Sequence, residues 1–218
     1  MNHIIFSTPM VQAVLEDRKN MTRRVAKVNN PEDWEAGNNC RASEYGAEVP
    51  CYITRKMATE ERGIHYPKYD AGDILWVKET WGYSWFAETD GEAPIQRYIF
   101  RADENSSVIR WRSSLFMPRA AARIFLRVTD VRVERVQEIT DADAVREGFS
   151  GVPCEHPFGR YACEDCMNTG WLEPPTVGFM ETWEKLNAKR GYGWDTNPWV
   201  WVISFERISK EEAEAVST

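Results

Sequence analysis

Apolar and polar positions change period several times along the chain, and each change marks the edge of a predicted element. Ile4 to Phe6 is an apolar run of strand length. Ser7 or Thr8 before Pro9 reads as a helix start, with a hydroxyl at the N-cap and proline at the first helical position, where a missing N–H costs nothing. Met10, Val11, Val14 and Leu15 then share one helical face. Asp17 begins the exit, which leaves Arg18 and Lys19 in the loop past the helix and predicts an extended Met21–Val25. Asn29 to Glu48 is rich in Asn, Glu and Gly with neither period, so a long loop is expected.

Asp70–Asp73 reads as a turn, Ile74–Val77 as a buried strand, and Ser84–Pro94 as a second loop before a strand at Arg97–Arg101. Ile124, Leu126 and Val128 alternate with Phe125, Arg127 and Thr129, the pattern of a half-buried strand. Val131 and Val133 continue it past a bulge expected at Asp130. Thr140 opens a helix with Asp143 three residues on as a capping-box variant, and Gly148 closes it. Glu147 is then its last residue, a carboxylate facing the negative end of the helix dipole, which costs roughly a few tenths of a kcal/mol. Such a residue is either a solvated glutamate or one held there for chemistry. A helix is predicted over Val177–Arg190 with Phe179, Trp183 and Leu186 on one face, Glu181 and Lys185 paired one turn apart, and Gly191 as its stop. Trp199–Ile208 is the last strand, and Lys210–Thr218 reads as a solvated helix end that frays. Strands interrupted by short helices, without an internal repeat, predict an α+β fold with a curled or barrel-like sheet.

A chain of 218 residues suits one domain, here 1–208 with insertions at 29–68 and 150–175 and a tail at 209–218. No apolar run is long enough for a signal peptide or a membrane span. Five cysteines without an export signal fit a reduced, cytoplasmic setting. The ten tryptophans serve the core or act as stacking platforms for bases.

Charge changes this picture locally. The net charge is −7, yet Arg18, Lys19, Arg23, Arg24 and Lys27 fall within ten residues that contain no acid. Local field, not net charge, governs capture of an anion, so this loop binds one or carries chemistry. Lys19 and Thr22 are three positions apart, and a hydroxyl nucleophile needs an adjacent base. Like-charge repulsion from Arg18, Arg23 and Arg24 is expected to lower the lysine toward that task. The competing reading is a phosphate-binding surface built of arginine forks. Glu79 and Trp81, after the buried strand, and Arg119 and Arg123, in a second basic stretch, are candidate pocket or substrate-binding residues. Between Cys154 and Trp171 the chain carries Cys154, His156, Cys163 and Cys166. Three thiolates and an imidazole match a structural tetrahedral zinc site, with free thiols or a redox pair as the alternatives.

The run P-M-V-Q-A-V-L-E-D-R-K-N-M-T-R-R-V, from Pro9 to Val25, resembles the N-terminal signature of the ASCH family, a helix followed by a G-R-K-T-x-T-x-R type loop. Four further blocks agree in order: G-D-I-L-W-V-K-E-T-W from Gly72, V-T-D-V-R-V-E-R-V from Val128, T-D-A-D-A-V-R-E-G from Thr140, and the closing N-P-W-V-W-V-I-S-F. Together they look like phage and prophage ASCH proteins, and they cover most of the chain outside Asn29–Thr59 and the cysteine insertion. The resemblance implies a PUA-like closed or curled β-barrel with short flanking helices, interrupted here by the Cys-rich insertion. One branch of that family comprises N(4)-acetylcytidine amidohydrolases, and their catalytic Lys, Thr and Glu fall on Lys19, Thr22 and Glu147. Arg18, Arg23 and Arg24 would hold the substrate. The resemblance equally admits a non-catalytic RNA binder or a metal-dependent ribonuclease, so the expected partner is a modified nucleoside or RNA. Two positions depart from the pattern: Asp17 stands where the family prefers Gly, and Asn20 replaces the first threonine.

Overall fold

A computed structural model describes residues 1–28, 34–36, 53–55, 64–86, 95–103, 110–154 and 171–216. The elements in chain order are β1 (Asn2–Ile5), α1 (Thr8–Leu15), β2 (Met21–Val25), β3 (Trp34–Ala36), β4 (Ile53–Arg55), β5 (Ile64–His65), β6 (Ile74–Lys78), β7 (Trp81–Phe86), β8 (Ile95–Phe100), β9 (Phe125–Arg135), α2 (Asp141–Arg146), β10 (Val152–Pro153), β11 (Trp171–Glu173), α3 (Pro175–Asn187), β12 (Trp199–Ile208) and α4 (Lys210–Ala215). The fold is mixed α+β, with a five-stranded sheet in the order β1-β6-β9-β12-β2. The expected barrel closure is corrected here: among the described residues β1 and β2 are the two ends of that order and do not pair. No described helix is long and apolar enough to cross a membrane.

The chain divides into two compact units, each built from discontinuous segments, and β9 and β12 contribute residues to both. The first comprises residues 1–17, 72–128 and 205–218. There β1 runs parallel to β6, and β6 antiparallel to β9. Ile74, Trp76, Trp81, Met117 and Phe125 form its core together with Ile208. β7 and β8 are a hairpin paired from Trp81–Phe100 out to Phe86–Ile95, so part of the expected loop Ser84–Pro94 is strand. Its pairing partner decides this, a signal that the local sequence does not carry. α4 is held by a capping box between Ser209 and Glu212, and Ala213 is fully buried in the core, so the tail expected to fray is docked instead.

The second unit comprises residues 18–71 and 129–204. β2 pairs antiparallel with β12, Thr22 opposite Ile203 and Arg24 opposite Trp201. Met21, Val136, Phe179, Trp183, Val200 and Val202 are buried together. Within the expected loop Asn29–Glu48, Trp34–Ala36 is a strand, paired with β4, which in turn pairs with β5. On α3 the buried row is Pro175, Phe179, Trp183 and Asn187, while Leu186, expected on that face, is 57% exposed. A contact made along an i, i+4 row drifts around the helix and leaves Leu186 behind its trailing edge.

Candidate active site

The loop Arg18–Asn20 meets the C-terminal end of α2. Thr140 opens that helix, its hydroxyl accepting from the Asp143 amide, and Gly148 ends it at φ 94°. The Gly148 amide donates to the Val145 carbonyl and the Phe149 amide to that of Ala144, the paired bonds of a Schellman end, which require a left-handed residue at the glycine position. The carbonyls left over at a helix terminus need donors. Here the loop supplies three in succession: the Asn20 amide to the Arg146 carbonyl at 2.9 Å, Lys19 Nζ to that of Glu147 at 2.8 Å, and Arg18 Nη1 to that of Gly148 at 3.2 Å. Arg146 answers by donating from Nε to the Asn20 side-chain oxygen at 3.0 Å. Asn20 is thus a docking residue. Asp17 has φ 56°, the left-handed conformation that glycine adopts most freely.

Docking the loop buries its lysine. Lys19 is 2% exposed, and Nζ also donates to the Met21 carbonyl at 2.7 Å and to Glu147 Oε2 at 2.7 Å. An ammonium at the helix C-terminus offsets the dipole that made Glu147 look misplaced. Burial is the largest influence on Lys19 and pushes its pKa below the usual 10.5; Glu147 opposes this, and Arg24 and then Arg23 reinforce it. Desolvation thus outranks the like-charge repulsion expected to lower it, and Arg18 is exposed.

Thr22 is 2% exposed on β2. Alternation along the strand puts Thr22 and Arg24 on one face and Met21 and Arg23 on the other. Arg24 is lowered by burial, with Glu147 and then Tyr69 pulling it back up. The other oxygen of Glu147, Oε1, is buried without a hydrogen bond and lies 3.5 Å from Arg23 Nη1. Arg23 Nη2 donates to Glu134 Oε2 at 2.9 Å and Asp143 Oδ2 at 2.6 Å, and Arg132 joins the same two acids. Arg23, expected to hold substrate, is instead enclosed by protein carboxylates.

Glu79, Trp81, Arg119 and Arg123 belong to the first unit. Both oxygens of Glu79 accept from Arg123, at 2.9 Å each, and Arg123 Nη1 reaches Asp103 Oδ2 at 2.5 Å. Burial raises the Glu79 carboxyl, and Arg123 lowers it. Trp81 is 3% exposed in the core, with Arg112 over its ring at 5.2 Å, and Arg119 is exposed. Of the candidate zinc ligands, Cys154 is half-buried, and His156, Cys163 and Cys166 lie outside the described residues. Among the described residues no three or more His, Cys, Asp or Glu side chains are grouped to hold a metal.

The lysine, threonine and glutamate were legible from the motif, whereas Glu134, Arg132 and the second role of Asp143 were not. Arg132 and Glu134 are two apart and so share a strand face, a signal that needs the partner strand before it means anything.

No family model matches the chain, and no curated protein matches it. Among solved structures it is similar to that of protein EF3133 from Enterococcus faecalis V583, of the family DUF984, with 10% identity and a TM-score of 0.41, covering 96% of this chain and 82% of that one.

Proposed function

We propose that the protein is an ASCH-type amidohydrolase acting on N(4)-acylated cytosine nucleosides or a related modified base. The observation that carries this reading is the buried Lys19–Glu147 contact at 2.7 Å, made between residues 128 apart in sequence; Thr22, three residues after the lysine, is buried as well. A lysine lowered by burial is a better proton acceptor than a solvated one. In the mechanism Lys19 takes the proton of the Thr22 hydroxyl as its oxygen attacks the acyl carbonyl. Lys19 passes that proton across their short contact to the Glu147 carboxylate, which gives it to the cytosine amine as the C–N bond breaks. Glu147, again a carboxylate, then takes a proton from water as the water oxygen attacks the acyl-threonine, and that proton returns through Lys19 to the Thr22 oxygen as the acid leaves. Arg24, on the same strand face as Thr22, or amides of the loop would donate to the oxyanion. The unbonded Glu147 Oε1 is the atom that faces a ligand most readily, since a buried acceptor without a partner costs about 1–3 kcal/mol until one arrives.

The test is incubation with N(4)-acetylcytidine and, separately, with a short RNA, products being separated by chromatography. Release of cytidine that disappears in Lys19→Ala, Thr22→Ala and Glu147→Ala supports the reading; wild-type rates in any of the three sink it. A second reading, non-catalytic RNA binding, is favoured by the β7–β8 hairpin, where the Tyr83 and Tyr98 rings lie 5.2 Å apart with a 31° tilt, Arg112 sits over Tyr83, and Trp85 is 64% exposed. RNA retained without any released product would support that one.

A further inference from the structure

The buried charges of the second unit do not pair off one to one. Arg23 has a side chain with no exposure, yet its Nη2 is held by two acids, Glu134 on β9 and Asp143 on α2, and its Nη1 stops 3.5 Å from Glu147 Oε1. Its Nε has no hydrogen-bond partner, and the guanidinium carbon lies 5.9 Å from the centre of the Phe179 ring on α3. A guanidinium free to choose would close a fork on the nearest carboxylate. This one is held back from it: Asp143 and Glu134 grip the far nitrogen, Arg132 fixes both acids in turn, and Phe179 lies alongside. Glu147 therefore has one oxygen committed to Lys19, while the other feels a cation but does not bond to it.

We infer that Arg23 is a positioning residue: clamped by Glu134 and Asp143, it keeps Glu147 aimed while leaving Oε1 open to a ligand. This rests on the hydrolase reading for its catalytic meaning, but the electrostatic part stands without it. The charged groups that bear on Glu147 are Lys19 from the docked loop, Arg23 and Arg24 from β2, Asp143 from α2 and, through Arg23, Glu134 and Arg132 from β9. Removing the Arg23 charge takes away a stabilising cation, so Glu147 must hold its proton to higher pH. Removing the Asp143 charge frees Arg23 to advance and takes away a repelling anion, so Glu147 must release its proton at lower pH. The two changes have opposite signs, which a merely structural clamp would not produce.

The experiment follows the side-chain carboxyl resonance of Glu147 by carbon-13 NMR through a pH titration of the full chain. The expected midpoint in Arg23→Gln is higher than wild type by about one pH unit or more, partly restored in Arg23→Lys, and in Asp143→Asn it is lower. If Arg23→Gln does not fold, the Arg23→Lys and Asp143→Asn titrations still decide the matter. Midpoints unchanged in every folded variant overturn the inference. Turnover of N(4)-acetylcytidine adds a separate readout: kcat falls at least about tenfold in Arg23→Gln with KM little changed, and Arg23→Lys recovers part of it. Shifted midpoints in a protein that never hydrolyses the nucleoside uphold the role of Arg23 and remove the hydrolase. Hydrolysis by wild type with unmoved midpoints does the reverse.

Discussion

Each unit buries a glutamate against a cation, and the two are finished differently. Glu79 accepts from Arg123 through both oxygens, a closed fork whose guanidinium is 27% exposed. Glu147 gives one oxygen to Lys19 and keeps the other unbonded, while Lys19 also donates to two backbone carbonyls and Arg23 to two other acids. A fork with all its valences filled has no reason to change when a ligand arrives. An open carboxylate between a lowered lysine and an enclosed arginine does. The difference separates a clasp from a site more sharply than burial, which the two glutamates share at 1% and 4% exposure.

The contrast breaks most visibly in turnover. Glu147→Gln keeps the shape and removes the titrating group, and hydrolysis of N(4)-acetylcytidine is expected to fall by about 10²–10⁴-fold in steady-state assays.

The next effect is on stability. Lys19→Met leaves Glu147 as a buried, uncompensated charge and is expected to cost about 3–5 kcal/mol in denaturant unfolding near neutral pH. Arg123→Met should cost less, about 1–3 kcal/mol, because the cation it removes is partly solvated and Glu79, already raised by burial, relieves itself by taking a proton.

Acid and base then sharpen the pair from opposite sides. Glu79 has a folded pKa above the usual 4.5, so the stability contributed by its proton is complete below 4.5 and is lost as pH rises through the raised value. Lys19 is lowered, so its contribution is present above 10.5 and is lost as pH falls through the lowered value. Subtracting the pH–stability curve of Glu79→Gln, and separately that of Lys19→Met, from wild type should leave differences confined to those two windows. The smallest effect belongs to Asp17→Gly, which relieves a left-handed aspartate and gives up its 3.3 Å contact with Arg207; a gain of about 0.5 kcal/mol or less in thermal unfolding is expected.

Much of this was legible from local pattern because local physics decides it. Thr140, Gly148 and Pro9 mark helix ends by groups they supply themselves, and the nearly continuous apolar run Trp199–Phe205 carries β12 without help from its neighbours. Lys19 and Glu147, both singled out by the motif, face each other across an isolated antiparallel bridge. The strands at Trp34–Ala36 and Tyr83–Phe86 were hidden because an edge pairing made across a long connection leaves no periodicity in three or four residues. The acid clamp on Arg23 was hidden for a related reason: Asp143 already had a complete local explanation as a helix-capping residue, and Glu134 reads as the polar side of an alternating strand.

The docking of Arg18–Asn20 onto residues 146–148, together with the pairing of β2 against β12, has a consequence for the order of assembly. Thr22 lies on β2, the end strand of its sheet, and the β12 strand beside it is made about 180 residues later in synthesis. Until then the proposed nucleophile has no strand partner. Cutting the chain before Trp199 should erase the site without removing one residue of the Lys19, Thr22 and Glu147 set. The proposed site is complete only once β12 pairs with β2.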